Sequence, residues 1–120
     1  MFGIGFNTKG GVKDITAKDF EKEVLHAGGI VLVDFFAKWN GTCHLNSQVI
    51  DAITCQLALR IKIFRLDIEK YPGVAKAYGV NKIPAVVIFS NGKVMEYVPG
   101  LSTKYILQQK ILNLLRNQKR

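Results

Sequence analysis

The 120-residue sequence is poor in cysteine, proline and tryptophan, with two, three and one of them, and it lacks long apolar runs. Two cysteines are too few for the disulfide framework of a small secreted domain. No apolar stretch approaches the roughly 20 residues that a membrane-spanning helix needs. The start of the chain also lacks a basic segment followed by a continuous apolar one, the pattern of a secretory signal. We therefore expect a cytoplasmic protein, or one from an organelle interior such as the plastid stroma if the chain is a mature form.

The two cysteines are not expected to pair with each other. Cys43 and Cys55 lie on the same predicted helix, which at 1.5 Å per residue separates them by about 18 Å. A disulfide needs Cα atoms within roughly 7 Å. Cys55 is interpreted as a half-buried structural thiol, with an intermolecular disulfide or a role as a resolving thiol as the alternative.

Acidic residues are scarce relative to basic ones: nine against 17, for a net charge of +8. Such an excess accelerates encounters with acidic partners. The lysines are scattered, however, and the only dense basic cluster is at residues 116–120. Nothing resembles a nucleic-acid-binding motif. The excess is interpreted as solvated surface charge and a loose tail, with a functional patch as the alternative. A protein or peptide partner could therefore be acidic, and neither nucleic acid nor a membrane is expected.

The length fits one domain. We predict a flexible lead-in over residues 1–13, a single domain over 14–117 and a basic tail over 118–120. The apolar run Ile30–Phe36 is typical of a strand covered on both faces. Asn91-Gly92 between two apolar segments is the strongest short signal for a β-hairpin.

Capping and periodicity signals place four helices between and after the strands. The first begins after Thr16, the second runs from about Gly41 to Leu59, the third opens near Pro72, and the last is capped by Ser102. The second is expected to bury a stripe at i+4 spacing, and the last an apolar stripe of its own. These stripes are Leu45, Val49, Ile53 and Leu57, and Ile106, Leu107, Ile111, Leu114 and Leu115.

The predicted order is α-β-α-β-α-β-β-α, with a further short strand considered near the letters GVKDI. Strands separated by helices imply parallel pairing, whereas the hairpin imposes antiparallel pairing. The fold class is therefore α/β, with a central mixed sheet of four to five strands and helices on both faces. Open sheets of this kind place their sites beyond the carboxyl ends of the parallel strands. The segment Trp39–Cys43 lies there, directly after the strand Ile30–Phe36.

Three segments carry a resemblance to a known family: VLVDFFAKWNGTC, RLDIEKYPGVAKAYGVNKIPAVVIFSNGK and VPGLS. Together they resemble the thioredoxin family over about residues 15–115. The resemblance implies a thioredoxin fold and thiol–disulfide exchange by two cysteines three positions apart. The first thiol attacks a substrate disulfide, and the second resolves the mixed disulfide that results.

This chain departs from the family at the attacking thiol, because Asn40 stands there and only Cys43, the resolving position, is kept. A lone thiol can form a mixed disulfide but cannot resolve it unaided. Full dithiol turnover is therefore not expected, and whether the protein is an enzyme stays open. Asparagine is among the best helix N-caps, which gives Asn40 a plain structural role.

The resemblance also implies a set of site residues around Cys43. Asp34 matches the buried acid beneath the second thiol. The remaining matches would form the groove that holds an extended substrate segment. These are Trp39, Gly41, Thr42, Ile83, Pro84 and Gly100.

Three functions are compatible with these residues. The first is a redox-impaired protein that binds extended peptides or protein partners in the groove, and the second is a monothiol or partner-assisted oxidoreductase acting through Cys43. The third is a structural subunit of a larger assembly. No cofactor is expected: Cys43-His44 lacks further metal ligands, and one cysteine could hold a haem by only one thioether. The protein is expected to be a monomer or a weak dimer.

Overall fold

The computed structural model describes residues 11–57 and 60–118. The predicted lead-in and basic tail, apart from residues 11–13 and 118, lie outside these ranges. The strands are β1 (Val12–Asp14), β2 (Ile30–Phe36), β3 (Lys62–Asp67), β4 (Ala85–Ser90) and β5 (Lys93–Pro99). The helices are α1 (Ala17–Phe20, continued by a π-helical segment Glu21–Leu25), α2 (Gly41–Leu57), α3 (Pro72–Ala77) and α4 (Lys104–Gln118).

The strands form one sheet in the order β1-β3-β2-β4-β5. β3 lies between β1 and β2 and is parallel to both. β4 pairs antiparallel with β2, and β5 pairs antiparallel with β4. The predicted mixed sheet with helices on both faces is confirmed.

Two apolar clusters cover the two faces of the sheet. On the α1/α3 face, the rings of Phe20, Tyr78 and Phe89 pack together with centroids 5.5–5.8 Å apart. On the α2/α4 face, the largest buried side chains are aliphatic, among them Leu32, Ile50, Ile53, Leu107 and Ile111. The central strand β2 is buried from both sides, as its continuous apolar sequence predicts.

Two predictions for α2 are wrong: Leu45, the first member of the stripe, is 52% exposed, and Cys55, expected to be half-buried, is exposed. The side chains that α2 buries are Cys43, Asn46, Ile50, Ile53, Thr54 and Leu57. This row also follows helical spacing, but it contains polar residues, so an apolar pattern alone could not identify it. Thr54 is accommodated because its hydroxyl donates to the carbonyl of Ile50 at 2.8 Å.

The predictions for α4 need two corrections. Its cap is Thr103, whose hydroxyl accepts the N–H of Ile106 at 3.1 Å, and not Ser102. The buried stripe contains Leu107 and three further predicted residues, whereas Ile106 is 45% exposed. Among the described residues, no helix is both long enough and apolar enough to cross a membrane.

Candidate functional site

The candidate site begins where β2 ends, at the turn that leads into α2. Asn40 precedes the first residue of α2, and its side-chain oxygen accepts the N–H of Cys43 at 2.9 Å. This is the N-cap hydrogen bond to the third residue of the helix, and it satisfies an N–H group that has no partner within the helix. Asn40 therefore caps α2 at the position where the resemblance implies an attacking thiol.

Cys43 lies in the first turn of α2 and points into the protein, with 3% of its surface exposed. Burial raises the pKa of this thiol above its ordinary value, and the nearby carboxylate of Asp34 raises it further. A hydrogen bond with the backbone of Ala37 acts in the opposite direction; it is a smaller effect than burial but a larger one than that of Asp34. The thiol is thus held in its protonated, weakly nucleophilic form.

Asp34 is fully buried in the middle of β2, on the sheet face that α2 covers. Burial raises the pKa of this carboxyl to about 7, because removing the charged form from water outweighs the attraction of Arg65. Arg65 Nε lies 3.7 Å from Asp34 Oδ2, too far for a strong hydrogen bond. The guanidinium also donates to the hydroxyl of Ser47 and lies over the ring of Phe36.

Asn46, on the face of α2 that also carries Cys43, is bonded to the segment that precedes α4. Its side chain is fully buried, and Oδ1 accepts the N–H of Ser102 at 3.2 Å. The nearby amide lowers the pKa of Asp34, as a lesser influence than burial or Arg65, while neither oxygen of the Asp34 carboxyl has a hydrogen-bond partner among the described residues. Asn46 was not among the site residues predicted from the sequence. A signal was available, since Asn46 follows Cys43 by three positions and so shares its helix face.

Trp39 lies on the surface, with 68% of its area exposed. Its indole N–H donates to Glu69 Oε2 at 2.8 Å, which joins the turn before α2 to the segment after β3. His44 contacts the same turn, since its Nε2 lies 2.9 Å from the carbonyl oxygen of Lys38. The contacts of Glu69 and Lys38 were not predicted from the sequence, because they join positions that only the tertiary structure brings together.

The Ile83–Pro84 peptide bond is cis and directly precedes β4. The carbonyl of Pro84 accepts the N–H of Gly100 at 2.7 Å. Gly100 has φ +80°, a left-handed conformation that glycine adopts without strain. This bond brings Ile83, Pro84 and Gly100 together.

The other predicted groove residues, Trp39, Gly41 and Thr42, lie together at the start of α2. The bond from Ser102 to Asn46 anchors the chain just after Gly100 to this helix.

Among residues 11–57 and 60–118, no three His, Cys, Asp or Glu side chains form a group that could hold a metal ion.

Comparisons with known proteins agree with this architecture. The sequence profile of the family described as Thioredoxin matches residues 11–113. The chain is 36% identical to a thioredoxin of Rickettsia felis over 91 residues, which covers 76% of this chain and 87% of that protein. It is 37% identical to thioredoxin 1 of Nostoc sp. over 95 residues, covering 79% and 89% of the two chains. A solved thioredoxin variant from Halobacterium salinarum superimposes with a TM-score of 0.79 at 26% identity, covering 87% of this chain and 90% of that one. The chain belongs to the thioredoxin family.

Proposed function

We propose that this thioredoxin-family protein binds an extended segment of a protein partner in its groove and does not catalyse dithiol–disulfide exchange. One observation carries the proposal: Asn40 stands at the attacking position, and its side chain is engaged in capping Cys43. An amide cannot attack a disulfide, so the first step of the family's reaction has no nucleophile. Membership of the thioredoxin family supports descent from a redox protein. Without the attacking thiol, the groove can still bind a partner, but the protein cannot turn over a disulfide.

Exchange through Cys43 alone is the weaker alternative. The thiolate is the reactive form, and burial together with Asp34 disfavours it. A disulfide sulfur must also reach the thiol, yet only 3% of Cys43 is exposed. Nothing in the geometry favours this alternative over binding.

The groove residues are compatible with strand addition, in which an extended peptide bonds to exposed backbone. Pro84 has no N–H and its carbonyl is already bonded to Gly100, so a partner would bond to the backbone of the preceding, half-buried Ile83. Gly41 leaves open space where a side chain would lie. A partner segment crossing from Pro84 to Gly41 would pass over Cys43 without reacting with it.

Turnover is tested first, by reduction of insulin with dithiothreitol. We expect the wild-type protein to leave the rate at the uncatalysed value. Asn40→Cys should accelerate the reaction, because the acid Asp34 and the groove prolyl loop remain in place. Acceleration by the wild type that disappears in Cys43→Ser would contradict the proposal in favour of the monothiol reading.

Binding is tested with a displayed library of random, cysteine-free peptides. Enriched peptides are titrated while the fluorescence of Trp39, the only tryptophan of the chain, is recorded. Gly41→Tyr should weaken binding more than tenfold, since a bulky ring would enter the open space at the start of α2. Gly73→Tyr is the matched control, because Gly73 on α3 also has open space at its Cβ position. Equal affinities for the two variants, or the absence of enriched peptides, would refute a groove-binding function.

A further inference from the structure

A second groove runs along the seam between α2 and the beginning of α4, with a volume of about 490 Å³. We call it the α2–α4 groove. From α2 it is lined by Leu45, Gln48, Val49 and Ala52, and from the other side by residues 101–104. The α2 residues recur at three- and four-residue spacing, so they form one continuous row on the outer side of the helix.

The walls of the α2–α4 groove are apolar although they face solvent. Leu45 and Leu101 are 52% and 51% exposed, and Val49 and Ala52 are half-buried. Leaving large aliphatic side chains in water forgoes the free energy that their burial would release. Lys104 is the only charged residue in the lining. An apolar ligand with an acidic group beside Lys104 therefore fits this surface best.

One end of the α2–α4 groove meets the candidate peptide groove. Leu101, in the lining, directly follows Gly100, whose N–H is bonded to the carbonyl of Pro84. At the other end, the side-chain amide of Gln108 donates to that of Gln56, one helical turn beyond Lys104 and Ala52. The lining of the α2–α4 groove is thus continuous along the chain with Gly100 of the candidate site, and the Gln56–Gln108 pair lies one helical turn beyond its other end.

Buried contacts hold the shape of the α2–α4 groove. The buried hydrogen bond from the N–H of Ser102 to Oδ1 of Asn46 fixes residues 101–103 against α2. Thr103 fixes the first turn of α4 through its cap. The apolar walls therefore stand on an anchored backbone, and little ordering is needed when a ligand enters.

We propose that the α2–α4 groove is a specificity subsite of the peptide groove, which takes one bulky apolar side chain of the leucine or phenylalanine class from the bound segment. An acidic residue next to that side chain pairs with Lys104. This inference rests on the proposed function. It adds a prediction of the partner sequences that the peptide groove selects. It also gives a reason why Leu45 and Leu101 are apolar although both are exposed.

The experiment repeats the selection of cysteine-free peptides on the wild type and on three variants. Ala52→Phe fills the α2–α4 groove, and Leu101→Ser removes part of its wall from an exposed position where folding is not at risk. Val94→Ser is the control, because Val94 on β5 is 47% exposed and lies outside the α2–α4 groove. Thermal unfolding of each variant shows whether its fold is retained.

The wild type and Val94→Ser should enrich peptides with a bulky apolar residue at one fixed position and an acidic residue beside it. Ala52→Phe and Leu101→Ser should still bind peptides but lose that preference. Replacing the apolar residue of an enriched peptide by alanine should weaken its binding to the wild type about tenfold and to Ala52→Phe less than twofold.

Each remaining outcome counts against the inference in a distinguishable way. If no peptide is enriched on the wild type, the proposed function fails and the subsite fails with it. If peptides bind but show no fixed apolar position, or if Ala52→Phe and Leu101→Ser keep it, the subsite alone is refuted. If the wild type is dimeric in sedimentation and Leu101→Ser is monomeric, a second copy of the chain occupies the α2–α4 groove instead.

Discussion

The two faces of the sheet are built from different chemistry. The α1/α3 face is filled by apolar side chains, with three aromatic rings at its centre. The α2/α4 face buries aliphatic residues too, but it also encloses Asp34 and Asn46. Among the described residues, α1 and α3 contribute none of the buried polar side chains.

The difference between the two faces relates to function, because the buried polar side chains lie on the face that carries the candidate site. Burying apolar surface stabilises the fold at every pH, whereas a buried carboxyl destabilises it once the carboxyl must ionise. A chain selected only for stability has no reason to enclose Asp34 when an aliphatic residue would fit. The acid lies beside Cys43, so the cost falls at the candidate site. The apolar clusters on both faces provide the stability that tolerates it.

The largest effect is expected on the aromatic face, from Phe89→Ala. Phe89 is fully buried and packs edge-on against Phe20 and Tyr78. Removing the ring should lower the free energy of unfolding by about 3–5 kcal/mol, measured by urea denaturation. Val94→Ala on the neighbouring strand β5 is the control and should cost less than about 0.5 kcal/mol. A small loss in Phe89→Ala would contradict the role given to this face.

The next effect is expected on the polar face, from Asp34→Asn. The pKa of Asp34 is about 7 in the fold against 3.8 for the free group, so the unfolded chain releases its proton first as the pH rises. Stability should therefore be unaffected by this group below pH 4, fall between pH 4 and 7, and stay reduced above pH 7. Asp34→Asn should remove this loss, which amounts to at most about 4 kcal/mol.

Urea denaturation of wild type and Asp34→Asn at several pH values between 4 and 8 measures that difference. The two unfolding free energies should converge towards pH 4, and the variant should be more stable at pH 8. Asp14→Asn, which removes an exposed carboxylate of β1, is the control and should retain the wild-type pH dependence. A difference that is the same at pH 4 and pH 8 would show that ionisation of Asp34 is not its cause.

The smallest effect is expected at the edge of the polar face, from Asn40→Ala. This change removes the acceptor for the N–H of Cys43 and should cost about 1 kcal/mol in unfolding free energy. Asn40→Ser keeps a capping oxygen and should stay within about 0.5 kcal/mol of the wild type. Equal losses in both variants would mean that the cap contributes nothing and that Asn40 has another role.

The fold was predictable because its signals are local. Apolar runs, the Thr16 cap and the Asn91-Gly92 turn lie where the structure has strands, a helix start and a hairpin. Family motifs supplied the candidate site residues, and the positions of Asn40 and Cys43 were known from the sequence. The burial of α2 was predicted less well, because Leu45 fits the apolar pattern and Asn46 does not, yet Asn46 is the buried one.

By itself, the sequence determined the order of helices and strands, the family, and the replacement of the attacking thiol by Asn40. Only the tertiary structure decided that Cys43 is shielded, that Asp34 holds its proton to about pH 7, and that Asn46 ties α2 to Ser102. It also decided that Leu45 and Leu101 face an open groove. The physical reason is that secondary structure follows from neighbours along the chain, whereas burial and pKa depend on neighbours in space that are distant in sequence.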